Sequence, residues 1–321
     1  MIRPIETKLN ISLLENDFSA DWKKRFNIEE NTILSCYNTV SSESRRRSVD
    51  SLHMAIFHTL MISTESKQGN AFEDFVFNIT KQMEGIKYLE TCYSNGIRVK
   101  CQNIISIDKR IFDYIIQIVS QKLYRADLST PKALDKILQK IYKMSKEYKK
   151  EYTFRTKMYK DKQDLDLGFI DEITGQIYLF EEKLGAKFGG DVEKEHLKKY
   201  FLAYANYVYN NECSFEDINI NMLIFDNEGF KRLCRGGNGF ITLEDFFEKF
   251  NIKPFDENGV ELDFQEIKDL FYDVTEIKSS EFNECVDRFE HILKINDNII
   301  KGSETDCLNI YYKHYEFNPI V

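Results

Sequence analysis

Apolar residues recur at helical spacing through much of the first 160 residues, and this pattern predicts a largely helical N-terminal part. The stretch from Gly69 to Ile86 shows the period most clearly. From Arg110 to Tyr124 bulky residues lie on nearly every side, which predicts a well-buried helix. Thr130 followed by Pro131 predicts a helix start, because threonine caps a first turn and proline is tolerated at the first helical position.

The pattern changes at residue 164. Residues 164–170, DLDLGFI, alternate between polar and apolar, which predicts a strand, and DEITG at 171–175 is typical of a turn. QIYLFEEK at 176–183 predicts a second strand. Further segments are predicted as a helix at 191–209, a strand at 220–227 and helices at 243–250 and 279–295. This order predicts an α/β fold with a mixed central β-sheet flanked by helices.

Length and composition predict one large soluble domain or two intimately packed ones, and we treat residues 1–321 as a single domain. The chain is 42% hydrophobic, which is enough for a sizeable core, and its four prolines mark no flexible linker. Its seven cysteines are scattered without a CxxC pair, which favours free thiols in a reducing cytoplasm. We find no signal peptide and no run of 18 apolar residues, so we expect a cytoplasmic protein with no membrane partner.

Charge is distributed unevenly along the chain. The net charge is −9, yet the stretch from Lys132 to Lys162 contains eleven basic and four acidic residues, a local charge of +7 that leaves −16 on the remainder. Tyrosines and Phe154 interrupt the same basic stretch. Such a segment predicts a face that attracts a polyanion such as nucleic acid. The alternative is a solvated, lysine-rich helix.

The two predicted strands at 164–170 and 176–183 bring acidic residues together. If they pair across the turn at 172–175, Ile170 faces Ile177, and the same register places Asp166 opposite Glu181. Directly opposed residues of an antiparallel pair have Cβ atoms about 5 Å apart. The register therefore predicts two neighbouring carboxylates.

Because side chains alternate between the two faces of a strand, the charged residues at the end of the second strand lie on different faces. Glu181 and Lys183 share a face with Asp166, whereas Glu182 points the other way. Two ionised carboxylates would repel each other in a dry site, and a divalent cation such as Mg²⁺ would resolve the conflict. Lys183 could then contact a phosphate or the attacking water. The alternative is a structural ion pair between Asp166 and Lys183, with Glu181 solvated at a sheet edge.

These residues resemble a known nuclease signature. LDLGF and YLFEEKLGA are similar to the Asp-x(n)-Glu-x-Lys pattern of the PD-(D/E)xK nuclease superfamily, in particular type II restriction endonucleases. In that family a hairpin presents an acid on its first strand and Glu-x-Lys on its second. Asp166, Glu181 and Lys183 match these three positions. Leu165 stands where the family name has proline.

The resemblance also covers an early helix. GNAFEDFVF at 69–77 places Glu73 at the edge of an apolar helical stripe, and many of these nucleases carry a glutamate on such a helix that positions metal or water. By its own pattern Glu73 could equally be a surface acid. The resemblance implies a restriction-endonuclease-like core at about 65–250, with helical additions at 1–64 and 251–321.

The resemblance implies a Mg²⁺-dependent enzyme that hydrolyses double-stranded DNA at a specific site and leaves 5′-phosphate and 3′-hydroxyl ends. Asp166, Glu181 and Glu73 would hold the metal, Lys183 would complete the catalytic group, and the enzyme would act as a homodimer. One alternative is a repair or phage nuclease on the same core that reads DNA structure. The other is a non-catalytic DNA-binding protein that kept the fold.

Several basic or polar residues are candidate DNA contacts. Lysines that follow the Glu-x-Lys strand would bind the backbone, and a glycine-bearing loop could read base edges. The alternatives are a solvated lysine face and a plain turn. The candidates are Lys187, Lys194, Lys198, Lys199, Arg155, Lys157, Arg232, Arg235 and Asn238.

Overall fold

The computed structural model describes residues 2–11, 68–89, 93–94, 97–98, 101–120, 128–184, 191–225 and 233–275. The chain divides into two compact units, one of Met1–Asn16 with Gly69–Asp269 and one of Asp17–Gln68 with Leu270–Val321. Nearly all described residues belong to the first unit. The prediction of a single domain stays a prediction, and most of the predicted N-terminal helical part and the helix at 279–295 lie outside the described residues.

The helices of the described ranges agree with the sequence pattern in most places. They are α1 at 68–81, α2 at Lys109–Ser120, α3 at Pro131–Lys150, α4 at Asp191–Asn210, α5 at Leu243–Phe250 and α6 at Phe264–Thr275. As predicted, α3 begins at Pro131, and the Thr130 hydroxyl accepts a hydrogen bond from the Ala133 amide at 3.3 Å. Within the described part of the chain no helix is long and apolar enough to cross a membrane.

Within the ranges that the structure describes, the strands build one five-stranded mixed sheet and three two-stranded pairs. They are β1 at Thr7–Asn10, β2 at Ile86–Tyr88, β3 at Tyr93–Ser94, β4 at Ile97–Arg98, β5 at Cys101–Asp108, β6 at Met158–Leu165, β7 at Leu167–Asp171, β8 at Gln176–Lys183, β9 at Ile218–Ile224, β10 at Phe240–Thr242 and β11 at Ile252–Phe255. The central sheet has the order β10-β9-β8-β7-β2. Its strands β8, β9 and β10 are parallel, and β7 is antiparallel to both its neighbours. The predicted mixed α/β architecture is confirmed.

Strands β7 and β8 form the predicted hairpin. Ile170 pairs with Ile177, and the turn occupies residues 172–175. Gly175 closes this turn with a φ of +71°, a conformation that glycine adopts without the steric cost of a Cβ. The Asp171 carboxylate accepts hydrogen bonds from the Ile173 amide and the Thr174 hydroxyl, both at 3.1 Å. Local chemistry therefore holds the register that the alternating pattern predicted.

Strand β8 is buried on both faces. Its residues Ile177 and Leu179 belong to the same core as α4, which includes Phe201 and Val208. On the other face an aromatic cluster joins the strand to α5, with ring centroids 4.8 Å apart for Tyr178–Phe250 and 5.6 Å for Phe180–Phe246. A strand covered on both sides carries a continuous apolar run instead of an alternating one. This explains the unbroken stretch before the charges of β8.

Three local predictions were wrong. The helix expected from Gly69 to Ile86 is helical only through residue 81, because Gly85 turns the chain with a φ of +69° and Ile86 pairs with Asp171 in the sheet. The predicted strand at 164–170 is divided at Asp166 between β6, which begins at Met158, and β7, which begins at Leu167. Strand β5 was missed entirely, and so was most of its partner β6. These two pair with each other over eight residues each, a tertiary contact that outweighs their weak local patterns.

Candidate active site

Asp166 occupies the break between β6 and β7. Its carboxylate oxygen Oδ2 accepts a hydrogen bond from the Glu182 backbone amide at 2.7 Å, which fixes the acid against the end of β8. The paired register ends at Leu167 opposite Phe180, so Asp166 lies one residue beyond the last pair of the hairpin. The structure nevertheless brings the two predicted acids together, because both carboxylates contact the Lys183 ammonium.

Lys183 bridges these two carboxylates. Its ammonium nitrogen Nζ lies 3.3 Å from Asp166 Oδ2 and 2.8 Å from Glu181 Oε1. It also donates a hydrogen bond to the Glu182 carbonyl oxygen at 2.6 Å. The alternative of a structural ion pair is right about the Asp166–Lys183 contact but wrong about a solvated Glu181, which is only 3% exposed.

Helix α4 contributes two further side chains that the sequence analysis did not place together. His196 Nδ1 lies 3.5 Å from Glu181 Oε1, and Lys199 Nζ lies 3.9 Å from the same oxygen. These residues are three apart and so share one face of the helix. The sequence analysis did not single out His196. Its spacing to Lys199, on a helix that follows the Glu-x-Lys strand, was the available signal.

Burial and neighbouring charges shift the pKa values of Asp166 and Glu181 in opposite directions. Burial raises the pKa of Asp166, and the nearby carboxylates of Glu181 and Glu73 raise it further against the lowering effect of Lys183. Burial would also raise the pKa of Glu181, but hydrogen bonds from His196 and Lys183 outweigh it and lower that pKa. Glu181 is therefore the acid that is held ionised.

The Lys183 ammonium is held in its charged form. Burial lowers the pKa of Lys183, but the attraction of Asp166 and Glu181 exceeds this effect and raises it above the ordinary lysine value. Glu73, on α1, also raises the pKa of Lys183. Glu73 thus lies within electrostatic range of the site, and its predicted role as a direct ligand stays a prediction.

The two carboxylates of the site are enough for Mg²⁺, although within the described ranges they do not form a larger cluster of metal-binding side chains. Among the described residues no three His, Cys, Asp or Glu side chains are grouped closely enough to hold a metal ion. Mg²⁺, however, is commonly bound through one or two carboxylates, with waters and phosphate oxygens as the other ligands. The adjacent carboxylates of Asp166 and Glu181 meet that smaller requirement.

The candidate DNA contacts on and before α4 differ in how close they lie to the candidate site. Lys199 reaches Glu181 and so borders the site, whereas Lys198 forms an ion pair with Glu195 at 3.3 Å. Lys194 is half-buried on the first turns of the helix. Lys187 lies outside the described residues.

The remaining candidates lie on two loops. Arg155 and Lys157 are exposed between α3 and β6. Arg235 makes a two-pronged ion pair with Asp245 at 3.1 and 2.9 Å, and Arg232 lies outside the described residues.

Asn238 is occupied by structural contacts. Its amide donates to Asp135 at 3.0 Å, and its side-chain oxygen accepts from the Ile220 amide at 3.2 Å. Gly239 follows it, and a Cβ there would lie 1.9 Å from the Cys234 carbonyl oxygen, so this turn requires glycine. Base reading by Asn238 stays a prediction, and it would require these hydrogen bonds to be given up.

No family model, no curated protein and no solved structure matches this chain.

Proposed function

We propose that this protein is a Mg²⁺-dependent endonuclease that hydrolyses phosphodiester bonds of double-stranded DNA, of the type II restriction class that its hairpin signature resembles. The observation that carries the proposal is the convergence of Asp166, Glu181 and Lys183 at one end of β8, with the ammonium 3.3 and 2.8 Å from the two carboxylates. The resemblance supplies the restriction-endonuclease-like fold and the homodimer as parts of the same proposal, and the scattered cysteines add the cytoplasmic location.

The site residues divide the work by charge. Asp166 and Glu181 would hold Mg²⁺, which when bound polarises the scissile phosphate and lowers the pKa of a coordinated water. Lys183 stays protonated, so it acts as a cation that orients the nucleophile and stabilises charge developing on the phosphate. His196 and Lys199 act on Glu181 and keep its carboxylate ionised and in place. In-line attack by water would leave 5′-phosphate and 3′-hydroxyl ends.

The test is digestion of plasmid DNA with Mg²⁺ or with EDTA. We expect Asp166→Ala, Glu181→Gln and Lys183→Ala each to lose cleavage by about a hundredfold or more, the range seen when one key electrostatic group is removed. Glu172→Gln is the matched control, since Glu172 is exposed in the turn at the other end of the same hairpin. Isothermal calorimetry should show Mg²⁺ uptake by the wild type that Asp166→Ala loses.

The digestion products separate the remaining candidates. Discrete fragments from a defined sequence support restriction, whereas metal-dependent but unspecific or structure-specific cutting would favour a repair or phage nuclease. DNA binding without any cleavage in Mg²⁺ would mean a non-catalytic protein. Full activity of Asp166→Ala would remove the basis of the proposal.

A further inference from the structure

The loop between α3 and β6 exposes two aromatic side chains. We refer to Glu151–Lys157 as the aromatic loop. Within it Phe154 is 90% exposed and Tyr152 is 54% exposed. Phe154 is the most exposed large apolar side chain among the described residues, and it lies two positions from a second exposed aromatic, so the loop is a candidate contact surface.

The aromatic loop is held by its own hydrogen bonds. The Thr153 amide donates to the Thr156 hydroxyl at 2.9 Å, and the Thr156 amide donates to the Thr153 carbonyl at 3.0 Å. The Arg155 amide donates to the Thr153 hydroxyl at 3.3 Å. These bonds form a tight turn with Phe154 at its tip. A ring presented on a fixed turn loses little conformational entropy when it binds a partner.

The charges around the ring are basic and available. Four cations lie in the loop or next to it in sequence, and among the described residues no ion pair involves them. They are Lys150, Arg155, Lys157 and Lys160. The acid of the loop, Glu151, is engaged by Arg110 at 3.0 Å. The Arg155 guanidinium lies 5.2 Å from the Phe154 ring centroid, so cation and ring form one surface. This combination fits a polyanion that carries flat rings.

Strand β6 connects the aromatic loop directly to the candidate site. It follows Lys157 and ends at Leu165, immediately before Asp166. Nine residues at a strand rise of about 3.3 Å place the loop up to about 30 Å from the carboxylates. One strand of duplex DNA rises about 3.4 Å per base, so this separation corresponds to roughly nine base pairs.

We propose that the aromatic loop is a second DNA-binding site, at which Phe154 stacks on the face of a base while Arg155 and Lys157 bind phosphates. The inference rests on the proposed nuclease function for the presence of DNA. Two sources could present such a base, an unpaired strand or a duplex step that the ring opens as a wedge. Both supply the same aromatic surface.

The experiment measures DNA binding by fluorescence anisotropy in EDTA, where binding is separated from cleavage. The probes are a 24-nucleotide oligothymidine and a 24-base-pair duplex. We expect Phe154→Ala to weaken binding about 5- to 150-fold, the range measured for loss of one base–aromatic stack. Phe154→Trp should bind like the wild type, and Phe154→Leu should resemble Phe154→Ala because it keeps apolarity without a flat ring.

The two probes distinguish the sources of the base. A loss on oligothymidine indicates stacking on unpaired bases, and a loss confined to the duplex indicates a wedge. Wild-type affinity of Phe154→Ala for both probes would overturn the inference, and so would a change in oligomeric mass by light scattering with unchanged DNA affinity, since the loop would then contact protein.

The anisotropy measurement and the cleavage test can fail independently of each other. Absence of cleavage with a Phe154-dependent affinity would remove the nuclease and leave this DNA site standing. Specific cleavage with a Phe154-independent affinity would do the reverse. A wild type that binds neither probe would overturn this inference, while digestion of plasmid DNA would still decide the proposed function.

Discussion

Lys183 and Lys249 are both lysines in largely buried positions, and their surroundings move their pKa values in opposite directions. Two carboxylates raise the pKa of Lys183 despite its burial. Lys249 instead lies 3.4 Å from the Asn221 side-chain oxygen and 4.9 Å from the Tyr178 ring centroid, and burial lowers its pKa to about 8. At the scale of the residue, the partner decides which state a buried charge adopts.

Lys249→Met should stabilise the protein at neutral pH. The pKa is about 8 in the folded chain and about 10.4 in an unfolded one, so below pH 8 folding carries the cost of burying a charge. The folded-state cost disappears as the pH rises from 8 to about 10. Because one pKa unit corresponds to about 1.4 kcal/mol, the variant should gain up to about 3 kcal/mol at pH 7.

Urea unfolding at pH 7 and pH 10 measures this gain. The advantage of Lys249→Met should be largest at pH 7 and close to zero at pH 10. Lys253→Met is the control, since Lys253 is exposed and its ion pair with Glu6 raises its pKa. An equal advantage at both pH values would show that packing, not charge, changed the stability.

At the scale of the element, Arg3 joins three segments that are distant in sequence. Its Nε lies 3.2 Å from Asp171, at a sequence separation of 168 residues. The same guanidinium donates to the Thr7 hydroxyl and to the Glu84 carbonyl. Arg3 is 1% exposed, so one buried guanidinium joins the N-terminal segment to the turn after α1 by a hydrogen bond and to the end of β7 by an ion pair.

Arg3→Ala should destabilise the first unit strongly. It would leave the buried Asp171 carboxylate without its cation, and breaking such a pair typically costs about 3–5 kcal/mol. Urea unfolding followed by circular dichroism measures the change. Lys109→Ala is the control, because the Lys109–Asp113 pair is exposed and such pairs contribute less than about 1 kcal/mol. Equal effects of the two variants would exclude a structural role for Arg3.

At the scale of the whole molecule, the basic stretch from Lys132 to Lys162 opposes a chain that is otherwise acidic. Much of it forms α3 and the aromatic loop, so its cations are concentrated on neighbouring elements. A locally positive surface steers a polyanion even when the net charge of −9 repels it. DNA affinity should therefore depend on where a lysine lies more than on how many are present.

Binding measured at several salt concentrations tests this expectation. Each phosphate contact adds about 0.9 to the slope of log affinity against log salt on a duplex. The double variant Arg155→Ala, Lys157→Ala removes the two proposed phosphate contacts and should lower that slope by about two. The double variant Lys8→Ala, Lys253→Ala removes the same charge from β1 and β11 and should leave the slope unchanged. If both double variants lowered the slope equally, binding would depend on net charge alone.

The sequence alone determined the local features of this protein. The turn at 172–175 and the alternation on either side predicted that Ile170 pairs with Ile177, and Thr130 with Pro131 predicted the start of α3. These predictions succeed because backbone preferences and side-chain faces are properties of a few neighbouring residues. The neighbouring acids Asp166 and Glu181 follow from the same register.

Only the tertiary structure decided which distant residues meet. It brought His196 of α4 to Glu181, buried Arg3 against Asp171 and left Phe154 in solvent. It also paired β5 with β6, whose own patterns are weak. The physical reason is that such contacts depend on the packing of whole elements, and a short window of sequence contains no information about what lies on the other side of the core.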